Sequence, residues 1–476
     1  MNNISIKKAA LINAASKYTS IICSLGFAMI LARILTPEDY GIVAVTTVFT
    51  NFFAIFSDMG ISSGIIQFKN LTEKDNSTIF SITAILGVVL GVLFACCSYF
   101  IADFYGDGVY ISLGRLLGFN LFLSALNIVP EALLLKDKQF VLLAKRNVII
   151  PLVTGIMTVG LAFCGWKYYA LVLQSILSVG ITFAANFYIT HKRYNLYLYM
   201  GICTDGIKKI FGYSVYQFLF GAINYFARNL DNLLIGRVWG AASLGYYDKA
   251  YKLMCYPNNS IAHVITPVLQ PILSEHQNEQ RYIYDKYVQM LKFLSLIGIF
   301  LSLFCYFSAK DIILFLYGEQ WLNAVPYFEM LALAIWAQLQ LVTTGSIFQS
   351  AGNTKQMFIS GVINTAITVI AIVIGVLNAD LWQLSRNILL AFYIEFFTSM
   401  YILICDCLKQ SYKDFLWIYT KDLLIACIFY LVIIAIYTFM AGSIMDNLFI
   451  KLILLSLVYI ILCKSFGQLK YLKFIR

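Results

Sequence analysis

The stretch FARNLDNLLIGRVWGAASLGYY, Phe226–Tyr247, decides how this chain is read. It lies inside a long apolar run, yet carries Arg228 and Asp231, three positions apart and so on one side of a helix. A charge at bilayer depth is costly; it usually faces protein or water and marks a pathway. The stretch also echoes an earlier one. Leu31–Gly41 reads LARILTPEDYG and Leu234–Gly245 reads LIGRVWGAASLG. In each, an Arg precedes a Gly by eight residues: Arg33 with Gly41, then Arg237 with Gly245. The copies are 204 residues apart.

Working outward, 61% of the 476 residues are hydrophobic and 12% charged, about half the charged content of a soluble domain. The apolar residues fall in runs of about 18–25, the length a helix needs to cross a bilayer. The expected fold is an all-α polytopic membrane protein; a β-barrel would show short alternating segments instead. The net charge of +10 is explained by Lys and Arg in cytoplasmic loops, so no nucleic-acid partner is expected. No cleavage site follows the first apolar segment, which reads as an uncleaved anchor. Most of the 11 cysteines lie inside apolar segments, and no CxxC occurs, so neither a metal nor a cofactor is expected.

About fourteen spans are expected, near 11–35, 40–57, 79–101, 113–135, 148–165, 169–189, 213–239, 246–271, 290–316, 325–350, 357–377, 383–405, 422–440 and 448–463. With a cytoplasmic N-terminus, the cytoplasmic loops hold Lys69, Lys74, Lys136, Lys138, Lys145, Arg146, Lys192, Arg193 and others, and the opposite loops hold far fewer cations. That asymmetry places both termini in the cytoplasm.

Six spans separate the two echoes, and an even number preserves direction. The halves are therefore expected as parallel, pseudo-symmetric bundles around a central cavity, with substrate passing between them. The organisation is an N-terminal bundle 1–205, a C-terminal bundle 206–405 and additional helices 406–476. Polar pattern follows the repeat. Asn13, Lys17, Ser20 and Ser24 fall at helical spacing in the first span; shifted by 204, three of these positions become Gln217, Asn224 and Arg228. Residues seven or eleven apart differ by about 20° in azimuth, and Asp231 lies about 40° off the line from Gln217. Each copy thus presents one polar stripe on an apolar cylinder.

No GxxxxGK[ST] loop, GxSxG turn or acidic cluster on an external loop occurs, and the three histidines are scattered, so enzyme chemistry is not expected. The cations within or at the edge of spans are Lys17, Arg33, Arg115, Arg228 and Arg237. A guanidinium suits phosphate or pyrophosphate because its fork binds two oxygens at once. Embedded carboxylates are the complement: Asp58, Glu131 and Glu395 are candidates for coupling to H⁺ or Na⁺. The 32 Tyr and 37 Phe suit interfacial belts, and rings in a cavity would also stack on sugar faces.

Leu31–Gln67, LARILTPEDYGIVAVTTVFTNFFAIFSDMGISSGIIQ, resembles the N-terminal signature of bacterial Wzx-type polysaccharide exporters, in the branch that exports colanic-acid-like repeat units. Arg228–Leu253 and Ile265–Gln277 look like the same branch. The resemblance implies the superfamily of multidrug, oligosaccharidyl-lipid and polysaccharide (MOP) exporters, with MATE-like bundles and alternating access. It implies a bacterial inner-membrane flippase that moves an undecaprenyl-pyrophosphate-linked oligosaccharide to the outer leaflet for capsule, exopolysaccharide, lipopolysaccharide or O-antigen synthesis. The lipid bilayer and polysaccharide polymerase machinery are the other implied partners. Arg228, held by Asp231, is the expected pyrophosphate contact, with Asn224, Gln217, Lys17, Arg33 and Arg237 as further substrate residues. The alternatives are a multidrug or small-molecule antiporter of the superfamily, or a membrane-bound sugar polymerase or acyltransferase.

Overall fold

The computed structural model describes residues 6–68, 71–199, 225, 228–439 and 447–472. They are helical almost throughout, with no strand among them. The chain divides into two compact units, Met1–Gly245 and Tyr246–Arg476.

The first unit contains α1 (Ile6–Ile34), α2 (Pro37–Asp58), α3 (Ile61–Gln67), α4 (Glu73–Tyr105), α5 (Val109–Lys136), α6 (Phe140–Phe163), α7 (Lys167–Tyr194) and α8 (228–238). Two of these helices begin with the same device. At α2 the Thr36 hydroxyl accepts from the Asp39 amide while Asp39 accepts from the Thr36 amide; Thr72 and Asp75 repeat this at α4. Each reciprocal pair satisfies two amides that a helix start leaves open, and Pro37 sits where no amide is needed. Inside α2 the apolar run is continuous, yet the helix stops at Asp58. Met59 and Gly60 take positive φ of 39° and 76°, and Asp58 Oδ1 accepts from the Ser62 amide to start α3. The core of this unit is built from Ile61, Ile65, Ile79, Phe80, Val129 and Leu133.

The echoed glycines explain themselves here. A Cβ on Gly41 would overlap the carbonyl of Ala241, and a Cβ on Gly245 would overlap the carbonyl of Pro37. Ala241 and Gly245 begin α9 (Gly240–Ser274). Shifting 37 and 41 by 204 gives 241 and 245, so the two contacts are one contact exchanged by a local two-fold. Only a residue without a side chain lets the backbones approach this closely, as at small-residue helix crossings in membranes.

The second unit continues from α9 with α10 (Gln280–Phe307), α11 (Ala309–Leu316), a 3₁₀ turn (Glu319–Ala324), α12 (Val325–Leu333), α13 (Ile335–Leu341) and α14 (Thr344–Ser350). Then come α15 (Thr354–Leu377), α16 (Leu381–Tyr401), α17 (Tyr412–Ile418), α18 (Thr420–Phe439), α19 (Leu448–Ser465) and α20 (Leu469–Leu472). The span expected at 325–350 is broken at Ala334: the segments Glu319–Leu333 and Ile335–Ser350 bend by 48°. Next to the bend the Trp336 amide donates to Ser302 Oγ at 3.0 Å, which keeps that backbone donor satisfied away from water. Leu296, Phe429, Ile433 and Tyr459 centre an apolar core joining α10, α18 and α19.

Among the described residues eleven helices are long and apolar enough to cross a membrane, or 12 with the bent pair, against the fourteen expected. The difference has two sources. The seventh expected span lies largely outside the described residues, and the eighth forms helix α9 but is too polar to qualify, with Asp248, Lys249, Lys252, Asn258 and Asn259 along it. Gly41→Ala or Gly245→Ala should lower the thermal midpoint of the detergent-purified protein, at a cost of about 1–3 kcal/mol for overpacking. Gly26→Ala and Gly160→Ala, where a Cβ meets nothing within 4 Å, should leave the midpoint unchanged or raised.

Candidate functional site

Three membrane-length helices of the first unit, α1, α6 and α7, enclose a polar cavity of about 550 Å³. Serines fix α1 to α6: Ser16 Oγ donates to the Ala144 carbonyl and Ser20 Oγ to the Asn147 carbonyl, each at 2.7 Å. The Asn147 carbonyl is available because Pro151, on the cavity wall, has no amide to donate to it in the helix ladder. The cavity is further lined by Lys17 from α1, Arg146 and Asn147 from α6, and Ser178 and Thr182 from α7.

Arg146 is held by a network that joins three helices. Its Nη1 and Nη2 donate to the two carboxylate oxygens of Glu131 on α5, the Nη2 bond being 2.9 Å. Nη1 also donates to Asn186 Oδ1 on α7 at 3.0 Å, and Nη2 to Asn147 Oδ1 at 2.9 Å. Asn186 Nδ2 closes the ring by donating to Glu131 Oε2 at 2.7 Å and to Asn127 Oδ1 at 2.8 Å. A forked guanidinium on a carboxylate is the geometry in which a charge pair tolerates burial, because both charges and the spare lone pairs find partners.

The sequence-derived substrate residues are scattered by comparison. Lys17 lines the cavity, is exposed, and has no hydrogen-bond or ion-pair partner among the described residues. Ser20 lies beside it, whereas Ser24 turns back to the Ile21 carbonyl of its own helix. Gln217 and Asn224 lie outside the described residues, as does the side chain of Asn13. Asp231 is buried and accepts from the Asn232 amide at 2.8 Å, whereas Arg228 is exposed. Positions three apart differ by about 60° around a helix, enough to turn one inward and the other outward. Arg33 and Arg237 are both exposed near helix ends, and Arg237 lies over the Phe104 ring at 5.1 Å. Of the carboxylates, Asp58 caps α3 and Glu131 holds Arg146.

Glu395, in the second unit, is buried on α16 and accepts from Thr368 on α15. One turn along, Asn364 Nδ2 meets Ser399 Oγ at 2.9 Å, and Ser360 Oγ meets the same hydroxyl at 3.0 Å. Ser360, Asn364 and Thr368 thus line up at i, i+4 and i+8 on α15, Thr368 against Glu395 and the other two against Ser399. The same unit carries an apolar groove of about 760 Å³, walled by Trp336, Tyr393, Phe396 and Tyr419. Asp422 stands at its edge, paired with Lys292 at 2.9 Å. Among the described residues no cluster of three or more His, Cys, Asp or Glu is placed to hold a metal ion.

Sequence reasoning missed Arg146, Asn147 and Asn186. It had counted Lys145 and Arg146 as loop cations, but both lie within α6. The available signal was that Glu131, inside an apolar run, needs a partner there, and Arg146 is the nearest guanidinium to it along the chain.

With this geometry the chain can be placed. Residues 30–326 match the polysaccharide biosynthesis protein family, and the chain belongs to that family. It is 24% identical over 411 residues to the lipopolysaccharide biosynthesis protein WzxC of Escherichia coli K12, covering 84% of this chain and 81% of that one. It is 29% identical over 338 residues to an uncharacterized membrane protein in the cps region of Klebsiella pneumoniae, and 27% identical over 314 residues to the teichuronic acid biosynthesis protein TuaB of Bacillus subtilis 168. Those two matches span 66% and 64% of the relatives' own lengths, and 68% and 65% of this chain. The fold is that of the lipid II flippase MurJ in an inward closed conformation, with a TM-score of 0.73 and 18% identity over 98% of this chain and 100% of that one. An inward-facing multidrug resistance MATE family transporter of the MOP superfamily gives a TM-score of 0.62 at 15% identity, over 84% and 99% of the two chains. The chain is therefore a multi-pass helical membrane protein of the polysaccharide biosynthesis family on a MOP-type fold.

Glu131→Gln should destabilise the protein by about 2–3 kcal/mol, the worth of hydrogen bonds to a charged group left unmade. Glu131→Gln with Arg146→Met should recover part of that loss. Melting midpoints in detergent read both.

Proposed function

We propose that this protein flips an undecaprenyl-pyrophosphate-linked oligosaccharide repeat unit from the cytoplasmic to the outer leaflet of the bacterial inner membrane, for surface polysaccharide synthesis. The observation that carries the reading is a polar, cation-bearing cavity between membrane-length helices, in a polysaccharide biosynthesis chain whose fold is also used by a lipid flippase. A saccharide needs hydroxyls and amides where hydrocarbon offers none, and its carrier lipid stays in the bilayer. The apolar ring-walled groove of the second unit has the lining that a hydrocarbon chain prefers.

The mechanism is alternating access of two repeat halves, with both termini cytoplasmic. The anionic carrier head group is drawn by exposed cations at helix ends, Arg228 foremost, with Arg33 and Arg237. Asp231, buried on the same helix, is proposed to support Arg228. Glu395, which accepts from Thr368 one turn away from the Asn364–Ser399 pair, is the carboxylate proposed to couple the cycle to H⁺ or Na⁺. A fixed acid among hydroxyl and amide oxygens can take a proton or share an ion without leaving its helix. The work is transport of an assembled substrate, and polymerisation belongs to partner machinery.

Deleting the gene should make the lipid-linked repeat unit accumulate on the inner leaflet and abolish surface polymer, as read by lipid extraction and mass spectrometry. Unchanged lipid pools and polymer would reject the reading. Arg228→Ala, at normal protein level, should cut polymer export by about tenfold or more, the effect of 1.4 kcal/mol of lost binding. Arg228→Lys should restore only part, since a point charge replaces a fork.

A further inference from the structure

We infer that Lys292 and Asp422 are positioning residues for the apolar groove of the second unit: their ion pair sets where α18 stands against α10, and with it the width of the groove. The inference rests on the flippase reading, in which that groove seats the hydrocarbon chain of the carrier, and adds to it what holds the seat in shape.

Two ion pairs of opposite polarity tie α18 and α19 to the helices before them. Lys292 of α10 meets Asp422 of α18 at 2.9 Å. Lys451 of α19 meets Asp311 of α11. If the two contacts were exchanged, Asp422 would face Asp311 and Lys451 would face Lys292. Like charges thus exclude that docking, and a slide of one turn would part both pairs. The apolar core between them does not select in this way. Leu296, Ile299 and Phe304 meet Phe429, Ile433 and Leu455, surfaces that many packings satisfy.

The Lys292–Asp422 pair is also costly where it stands. Its side chains are only 6% and 2% exposed, inside the spans Gln280–Phe307 and Tyr412–Thr438. Asp422 Oδ2 is buried and completes no hydrogen bond among the described residues. A buried pair with an oxygen left unmet gives less stability than apolar side chains of the same size. What it supplies is position. Lys292 Nζ also donates to the Ile418 carbonyl, so one ammonium pins both ends of the break between α17 and α18. That pinned segment is a wall of the groove, through Tyr419, Thr420 and Asp422. Across from it stand Trp336 and Phe396, whose rings lie 5.6 and 5.9 Å from that of Tyr419. Releasing the ammonium frees Tyr419 and the start of α18 to shift against those rings.

The full chain in nanodiscs is photolabelled with a diazirine-bearing undecaprenyl monophosphate, and the labelled peptides are mapped by mass spectrometry. Wild-type label should fall within residues 393–397 and 416–431, which wall the groove. Lys292→Met with Asp422→Leu should melt at the same temperature as wild type or higher. It should nevertheless lose that labelling by about fivefold or more, with polymer export falling alongside. Lys292→Asp with Asp422→Lys re-forms the pair with its ends exchanged and should recover most of both; Lys292→Arg, which keeps the pair, should hold them. Groove labelling and export at wild-type level in the apolar double variant would overturn the inference. So would a lowered melting midpoint there, which would make the pair a device for stability, or a wild-type chain that takes no label in the groove. Labelling is read on purified protein, so its failure leaves the gene-deletion result standing. Failure of the flippase reading would instead leave lipid-linked precursor and polymer unchanged on deletion, whatever the labelling shows.

Discussion

A guanidinium among membrane-spanning helices is best tolerated with a carboxylate against it, and in the first unit Arg146 has one in Glu131. Glu131 and Arg146 lock α5 to α6, and Asn186 draws α7 into the same ring. The serine bonds from α1 to backbone carbonyls of α6 then complete the wall. That closure gives the cavity its character. Arg146 is thereby neutralised with its geometry fixed, and Lys17 is an exposed cation on the same wall.

The second organising constraint is steric. Gly41 against Ala241 and Gly245 against Pro37 are one close backbone approach used twice, and the exchange of partners is what a two-fold relation between repeat copies requires. The short motif shared by the two copies is thereby accounted for as packing, and its arginines are left exposed beside it. Thr36 and Pro37, which begin α2, set the register of this crossing by fixing where the helix starts. A shift by one residue would bring a side chain to the point where no side chain fits.

Much of this was legible from the chain alone. Long apolar runs fix membrane helices because hydrocarbon offers the backbone no other partner, and an eight-residue spacing repeated 204 residues later pointed to the crossing. Side-chain pairing was less legible. The three-residue spacing of Arg228 and Asp231 gave no sign that one turns in and the other out. Arg146 looked like a loop cation because a Lys-Arg pair beside a span is the ordinary mark of a cytoplasmic loop, and its partner Glu131 sits on the preceding helix. Lys451, near the start of the span expected at 448–463, is buried in α19 against Asp311 of α11. Charge partners brought together by tertiary packing leave little trace in local pattern, and they are what separates a cavity from a surface.

The central claim is movement of a lipid-linked saccharide between leaflets. Its most direct test is reconstitution of the purified chain into vesicles whose inner leaflet carries a fluorescent undecaprenyl-pyrophosphate-linked oligosaccharide under an imposed ion gradient. A membrane-impermeant quencher added outside reads the exposed fraction over time. The account predicts that this fraction rises in protein-bearing vesicles and stays level in protein-free ones. An unchanged fraction in both, with active protein present by its transport of a soluble organic cation, would contradict it.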